Sequence, residues 1–258
     1  MLRRLSDISF TLFQQENAPC QYYHSRGFSG ADRNATLRRV ETHEGRSAAA
    51  PAAEPSGIAR VRKPTRFRAL GSVDVQALRR QVGRLSERVW RQEDAIKENA
   101  YRCFDHTQHI VFRFIEGNRD PRRFYSQPSW AVWSPMLLAV MEPAAAPYRF
   151  QEPAFPKVML ARLKAGHVIE RHDDGETGCS HPFVHKIHVP LETNPGALVH
   201  VDGEDLHLEV GQAWEINNLA RHGAVNRGRT DRIHLVFEVF EGAQVTMPED
   251  RQRTAART

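Results

Sequence analysis

Residues 197–240 read ALVHVDGEDLHLEVGQAWEINNLARHGAVNRGRTDRIHLVFEVF. Five short runs rich in Val, Leu, Ile, Trp and Phe, at 197–201, 205–209, 212–216, 222–226 and 232–240, are cut apart by Gly, Asn and Asp. Runs of this length bounded by turn residues read as strands. Moving toward the N-terminus, the same texture recurs at 183–190, 167–172, 157–164 and 108–115. Many short strands with little helix between them predict a barrel or sandwich and exclude a parallel βαβ sheet.

Helix is expected in two places. After Ser72, a plausible N-cap, the residues Val75, Leu78, Val82, Leu85 and Val89 recur at spacings of three or four. That is one apolar stripe of a surface helix reaching to about Ile96, with an Arg/Glu/Gln-rich outer face. The Pro- and aromatic-rich segment 118–156 is expected to hold a short helix around 135–140. From about Glu41 to Pro64 the chain is Ala, Pro, Ser, Gly and Arg with almost nothing large and apolar, which reads as a linker.

The basic charge belongs to the leader. Residues 1–70 hold 12 Lys and Arg against 6 Asp and Glu, leaving 24 against 25 for the remainder of the chain. The high pI therefore does not point to nucleic acid. Cys20, Cys103 and Cys179 show no CxxC spacing, which fits a reducing compartment and excludes a disulfide framework. No apolar run approaches the roughly 18 to 20 residues of a membrane span. A cytoplasmic location is expected, with a mitochondrial one as the alternative because Arg26-Gly-Phe-Ser29 looks like a matrix-protease cleavage site.

Chemistry enters at His172-Asp173-Asp174. On an extended strand, residues i and i+2 share a face, so His172 and Asp174 can meet one metal ion. His222, fifty residues on, sits at the start of another predicted strand. Two imidazoles and one carboxylate on one face suit iron(II) and leave coordination positions open for catalysis. Ten residues later Arg232 opens the strand 232–240. A guanidinium directed into a barrel needs an anion, and a dicarboxylate offers a bidentate one.

The stretch from about Lys157 to Phe240 resembles the aspartyl/asparaginyl β-hydroxylase family, which includes bacterial proline hydroxylases. The pieces that carry the resemblance are 162–166 (RLKAG), 172–174 (HDD), 185–191 (HKIHVPL), 211–217 (GQAWEIN), 222–226 (HGAVN) and 231–235 (DRIHL), in family order. The resemblance implies a mainly β fold, a double-stranded β-helix or jelly roll with flanking helices. It implies iron(II) held by His172, Asp174 and His222, with 2-oxoglutarate and dioxygen as co-substrates. Arg232 would clamp the far carboxylate of 2-oxoglutarate, and His188 would lie against it. Lys186 stands where family members often carry Arg, keeping the charge without the planar fork. Asp174 completes a triad that the animal aspartyl hydroxylases lack, which brings the chain closer to bacterial members.

The implied activity is hydroxylation of an amino-acid side chain of aspartyl, asparaginyl or prolyl type, free or in a peptide, with release of succinate and CO2. The expected organisation is a disordered or targeting leader and linker over 1–65, a jelly-roll dioxygenase domain over 66–242 with its core at about 157–240, and a disordered tail over 243–258. Rival readings are a cupin-like metal enzyme that uses no 2-oxoglutarate and a non-catalytic jelly-roll binding module; the position of Arg232 relative to the metal pocket separates them. Trp214 and Asn217 are expected in packing and a turn, Trp130 and Trp133 in packing on the barrel. His106, His109, His181 and His185 are expected outside the chemistry, and Cys179 to be a bystander.

Overall fold

Short apolar runs separated by turns can bury one face only by pairing with distant strands, and the chain does so in two antiparallel sheets. The structure, a computed structural model, describes residues 55–99, 101–175 and 179–243. Eleven strands are formed among them: β1 (Phe67–Ser72), β2 (Thr107–Ile115), β3 (Phe124–Ser126), β4 (Pro153–Leu163), β5 (Val168–His172), β6 (His185–Glu192), β7 (Ala197–Val201), β8 (Glu204–Leu206), β9 (Gln212–Ile216), β10 (His222–Asn226) and β11 (Arg232–Glu241). The larger sheet runs β1-β9-β6-β11-β4-β2-β3 and the smaller β5-β10-β7-β8. From β4 to β11 the chain passes back and forth between the sheets, only β7 and β8 following one another in the same one. That alternation is the winding of a double-stranded β-helix, the expected jelly roll.

The large sheet is covered on both faces. Outward-pointing Ile233, Leu235, Phe237 and Val239 of β11 pack with Leu160 of β4 and Ile187 of β6 against three helices. These are α1 (Gln76–Val82), α2 (Glu87–Asp94) and α3 (Trp130–Ala145). Inward-pointing Val236 joins Val111, Phe114, Met159 and Ala161 in a second apolar cluster facing the smaller sheet. With both faces covered, every residue of β11 from Arg232 to Phe240 is buried.

Three sequence expectations change. The single helix from Ser72 to Ile96 is two helices, because Ser86 accepts the Val89 N–H through Oγ and starts a new one after Gly83. The apolar spacing survives since both helices use it on the same sheet face. Ser72 instead ends β1, a strand the sequence reading passed over along with β3. The short helix at 135–140 extends over Trp130–Ala145 despite Pro135 and Pro143. Burial of Leu137, Val140 and Met141, each contributing roughly 1.5–3 kcal/mol, offsets the two prolines at about 3 kcal/mol each.

The linker expected to Pro64 is held to the barrel from residue 55 onward in part by direct bonds. The Val61 N–H donates to Pro182 O at 2.9 Å, and Lys63 Nζ donates to Val184 O at 2.5 Å and to Asn218 Oδ1 at 2.7 Å. The cleavage-like Arg26-Gly-Phe-Ser29, Cys20 and all but residue 243 of the expected tail lie outside the described residues. No helix of the described residues is long and apolar enough to cross a membrane.

Candidate metal centre

His172 closes β5 and His222 opens β10, and the antiparallel register pairs them directly across the two strands. Their rings lie 4.3 Å apart, which is how fifty residues of sequence separation disappear. Gly223 makes the approach possible, because a Cβ there would stand 2.7 Å from the Ile169 carbonyl oxygen. Asp174 lies just past β5, where its N–H donates to Asn218 O at 2.9 Å and so ties it to the β9–β10 connection. One ligand atom from each of His172, Asp174 and His222 falls within 4.8 Å of the others.

Both imidazoles are preset to offer Nε2. His172 Nδ1 lies 2.7 Å from Glu170 O and His222 Nδ1 lies 3.0 Å from Ala220 O. A carbonyl oxygen only accepts, so Nδ1 carries the proton in each ring and the Nε2 lone pair is free. His172 Nε2 is buried with no partner. Burial keeps both rings neutral, lowering the His222 pKa to about 3 and that of His172 below its usual value. Asp174 is oriented from the other side, its Oδ2 accepting from Lys186 Nζ at 2.7 Å and Asn218 Nδ2 at 3.1 Å. Burial alone would raise this carboxyl, but the Lys186 ammonium beside it holds it well below the carboxylate range. Two neutral nitrogens and an ionised oxygen, each fixed by a second bond, are a donor set ready for a divalent metal.

Arg232 lines the same cavity as these three residues. Its Nε is buried without a partner, and no carboxylate among the described residues stands within 4.0 Å of it. Neighbouring carboxylates are engaged elsewhere: Asp231 faces Arg162 and Lys164, and Glu215 bonds His185, Tyr148 and Arg68. Desolvation lowers the Arg232 pKa to about 10, so it remains charged at neutral pH. Asn226 holds the loop ahead of it, donating to Leu163 O and Thr230 O while accepting from Asn194. His188 also lines the cavity, with Nδ1 3.4 Å from His234 Nδ1 and its Nε2 buried and unpartnered. Lys186, two residues earlier, commits its ammonium to Asp174.

Several cavity residues escaped the sequence reading. His109 projects inward from β2 and lines the cavity, whereas His106 stacks with His167. His181 reaches to within 3.9 Å of Asp174 Oδ2. Lys157 and Glu238, paired across β4 and β11, form a buried ion pair at 3.0 Å on the cavity wall. The signal for Glu238 was present: it shares the face of Arg232 by the period of two. His185 turns to the opposite side of the sheet, against Tyr148 and Phe150. Asn217 caps the β9–β10 turn through the Leu219 N–H, and Trp214 packs edge-on against Phe67. Cys179 lines the cavity.

The family model for aspartyl/asparaginyl β-hydroxylases matches residues 125–241. No curated protein matches the chain significantly. Among solved structures, an oxidoreductase of the 2OG-Fe(II) oxygenase family from Burkholderia pseudomallei is 13% identical over 52% of this chain and 66% of its own, just under two thirds, with a TM-score of 0.40. HygX from Streptomyces hygroscopicus, solved with nickel and 2-oxoglutarate bound, is 16% identical over 67% of this chain and 82% of its own, with a TM-score of 0.41. A cupin domain from Bordetella pertussis is 19% identical over 34% of this chain and 91% of its own, with a TM-score of 0.27. These three are distant likenesses. The segment 125–241, a little under half of the chain, carries His172, Asp174, His222 and Arg232 and is similar to the aspartyl/asparaginyl β-hydroxylase family.

Proposed function

We propose that the protein is an iron(II)- and 2-oxoglutarate-dependent dioxygenase that hydroxylates an amino-acid side chain of aspartyl, asparaginyl or prolyl type, free or peptidyl. The observation that carries this reading is Arg232: a buried guanidinium, with no carboxylate among the described residues paired to it, on the wall of the cavity that holds the three-donor set. A cupin-like enzyme without 2-oxoglutarate has no use for such a cation there, and a closed or degenerate pocket would have no reason to leave it unpaired.

His172, Asp174 and His222 would hold the metal. Iron(II), when bound, supplies with 2-oxoglutarate and dioxygen the oxidising power for an unactivated C–H bond, succinate and CO2 being released. Everything else falls to the protein. Arg232 receives the distal carboxylate of 2-oxoglutarate through paired N–H donors, and His188 packs beside it as a neutral ring. Lys186 and Asn218 occupy Asp174 Oδ2 and leave Oδ1 as the oxygen facing His172 Nε2, 3.7 Å away. Phe114, Met159, Ala161 and Val236 give the cavity its apolar wall and exclude water from it.

The test is succinate formation from 2-oxoglutarate by iron-loaded protein in air, with and without amino acids and peptides, alongside calorimetric titration of 2-oxoglutarate. Turnover lost in His172→Ala, and an elevated 2-oxoglutarate requirement in Arg232→Ala, are the expected results. Failure of metal-loaded protein to bind 2-oxoglutarate would sink the reading.

A further inference from the structure

We propose that Glu238 is the substrate-recognising acceptor of this enzyme and that the substrate presents an alkyl ammonium group to it. The inference rests on the oxygenase reading above and deepens it by naming the substrate's chemistry.

Glu238 lies on the inward face of β11, on the same face as Arg232, and six residues at about 3.3 Å each set the two roughly 20 Å apart along the strand. Its two oxygens have different surroundings. Oε1 accepts from Lys157 Nζ at 3.0 Å and faces His181 Nδ1 at 3.4 Å. Oε2 is buried, with no partner, in a side chain only 1% exposed, on the cavity wall. The carboxylate cannot satisfy itself by taking up a proton, because Lys157 and His181 outweigh its burial and hold its pKa at about 2. Oε2 is therefore an ionised, acceptor-only atom, and whatever meets it must donate.

The neighbouring side chains are already fixed and do not supply that donor. Lys157 Nζ also donates to Asn118 Oδ1 at 2.7 Å, which turns the Asn118 amide nitrogen toward His181 Nε2 at 3.1 Å. His181 Nε2 is then an acceptor and its proton sits on Nδ1, on the side of Glu238. This network locks the orientation of the carboxylate and leaves Oε2, on a residue of the cavity wall, without a donor. A cationic N–H donor gives the charge-assisted bond, about twice as strong as a neutral one.

The position also relates the ammonium to the chemistry. His181 Nδ1 stands 3.4 Å from Glu238 Oε1 and 3.9 Å from Asp174 Oδ2, so the carboxylate and the donor set are two walls of one small space. A nitrogen seated on Glu238 places the carbons a few bonds from it beside the metal ligands. The ammonium can come from an α-amino group, as in a free amino acid or the first residue of a peptide, or from a side-chain amine.

The experiment uses the full chain loaded with manganese or nickel in place of iron and saturated with 2-oxoglutarate, so that binding is read without turnover. L-Proline, L-asparagine and L-lysine are titrated calorimetrically beside their N-acetyl forms and isosteres with oxygen in place of the amine nitrogen: the ring ether for proline, the α-hydroxy acid for asparagine, and the α- and ε-hydroxy analogues for lysine. At least one amine is expected to bind on the order of ten- to a hundredfold more tightly than its oxygen isostere. Loss of that preference on acetylation assigns the α-amine; its survival in Nα-acetyl-lysine assigns a side-chain amine. Glu238→Gln, checked for folding by its circular dichroism and thermal midpoint, is expected to level amine and oxygen isostere. Equal binding of every amine and all of its isosteres, binding by no amine of the panel, or a preference that persists in Glu238→Gln overturns the proposal. A protein that fails to bind 2-oxoglutarate at the first step instead indicts the oxygenase reading itself.

Discussion

Arg162 and Arg232 are both buried guanidinium groups on neighbouring strands of one sheet, 4% and 2% exposed, and they are opposites in chemistry. In the β4–β11 ladder Arg162 pairs with Ile233 and Arg232 with Leu163, so the two point to opposite faces. Arg162, on the helix side, is saturated: both of its terminal nitrogens bond the Glu87 carboxylate, Nε bonds Gln108 at 3.0 Å, and the group lies 4.5 Å over Trp90. Arg232, on the cavity side, has no carboxylate at all among the described residues. A buried charge is tolerated when it is paired, and an unpaired one marks where a ligand supplies the missing charge. The lesson is that burial and residue type do not separate a saturated arginine from an unpaired one. The list of partners does.

The comparison can be broken most severely with acid. Beside Arg232 the inner face holds His109, His188 and His234, whose pKa values burial lowers well below the usual value, with the Arg232 charge adding to the effect. In the unfolded chain these rings take up protons below about pH 6.5, whereas the folded protein refuses them. Their stabilising contribution is therefore complete above that pH and is lost as pH falls, at about 1.4 kcal/mol per histidine per pH unit. Urea unfolding of metal-free protein between pH 7 and pH 5 should show a loss of several kcal/mol in total. A flat profile would mean that the face tolerates added cations, and the bareness of Arg232 would lose its significance.

Next in size is Arg232→Met. Calorimetry is expected to show 2-oxoglutarate affinity falling on the order of a hundredfold or more, while the thermal midpoint holds or rises because an unpaired buried charge has been removed. Arg162→Met should do the reverse. Its 2-oxoglutarate affinity stays level and unfolding free energy drops by about 1–3 kcal/mol, moderated because Glu87 is left in water and not buried alone. If both variants lost stability alike, the contrast between the two faces would be false. The smallest effect belongs to Lys186→Met, which removes one of the two donors on Asp174 Oδ2. Metal affinity is expected to fall ten- to a hundredfold by competition against a chelator, roughly the cost of losing a partner that orients a ligand.

Much of this architecture was legible beforehand for a simple reason. Strands β7, β9 and β10 are found at the boundaries read from the sequence, because turn residues and period-two burial are local properties. β1 and β3 were missed because FRALGS and FYS carry little periodic signal and gain their strand state from β9 and β2. Pro135 hid most of α3 for the same reason, its cost being offset by burial against a sheet that sequence reading does not see.

At the site the division is similar. His172, Asp174, His222 and Arg232 were found as residue types at recognisable spacing. The sequence by itself determined the strand texture and offered the candidate ligands and a candidate anion-binding arginine, since each depends on residues near one another along the chain. Only the tertiary structure decided that His172 and His222 are cross-strand partners, that Lys186 turns to Asp174, and that Arg162 is paired where Arg232 is not. It also brought Lys157, His181 and Asn118 to Glu238 from separate elements. Partnership is set by which strands pair and which face each residue takes, and both follow from packing the whole chain around one interior.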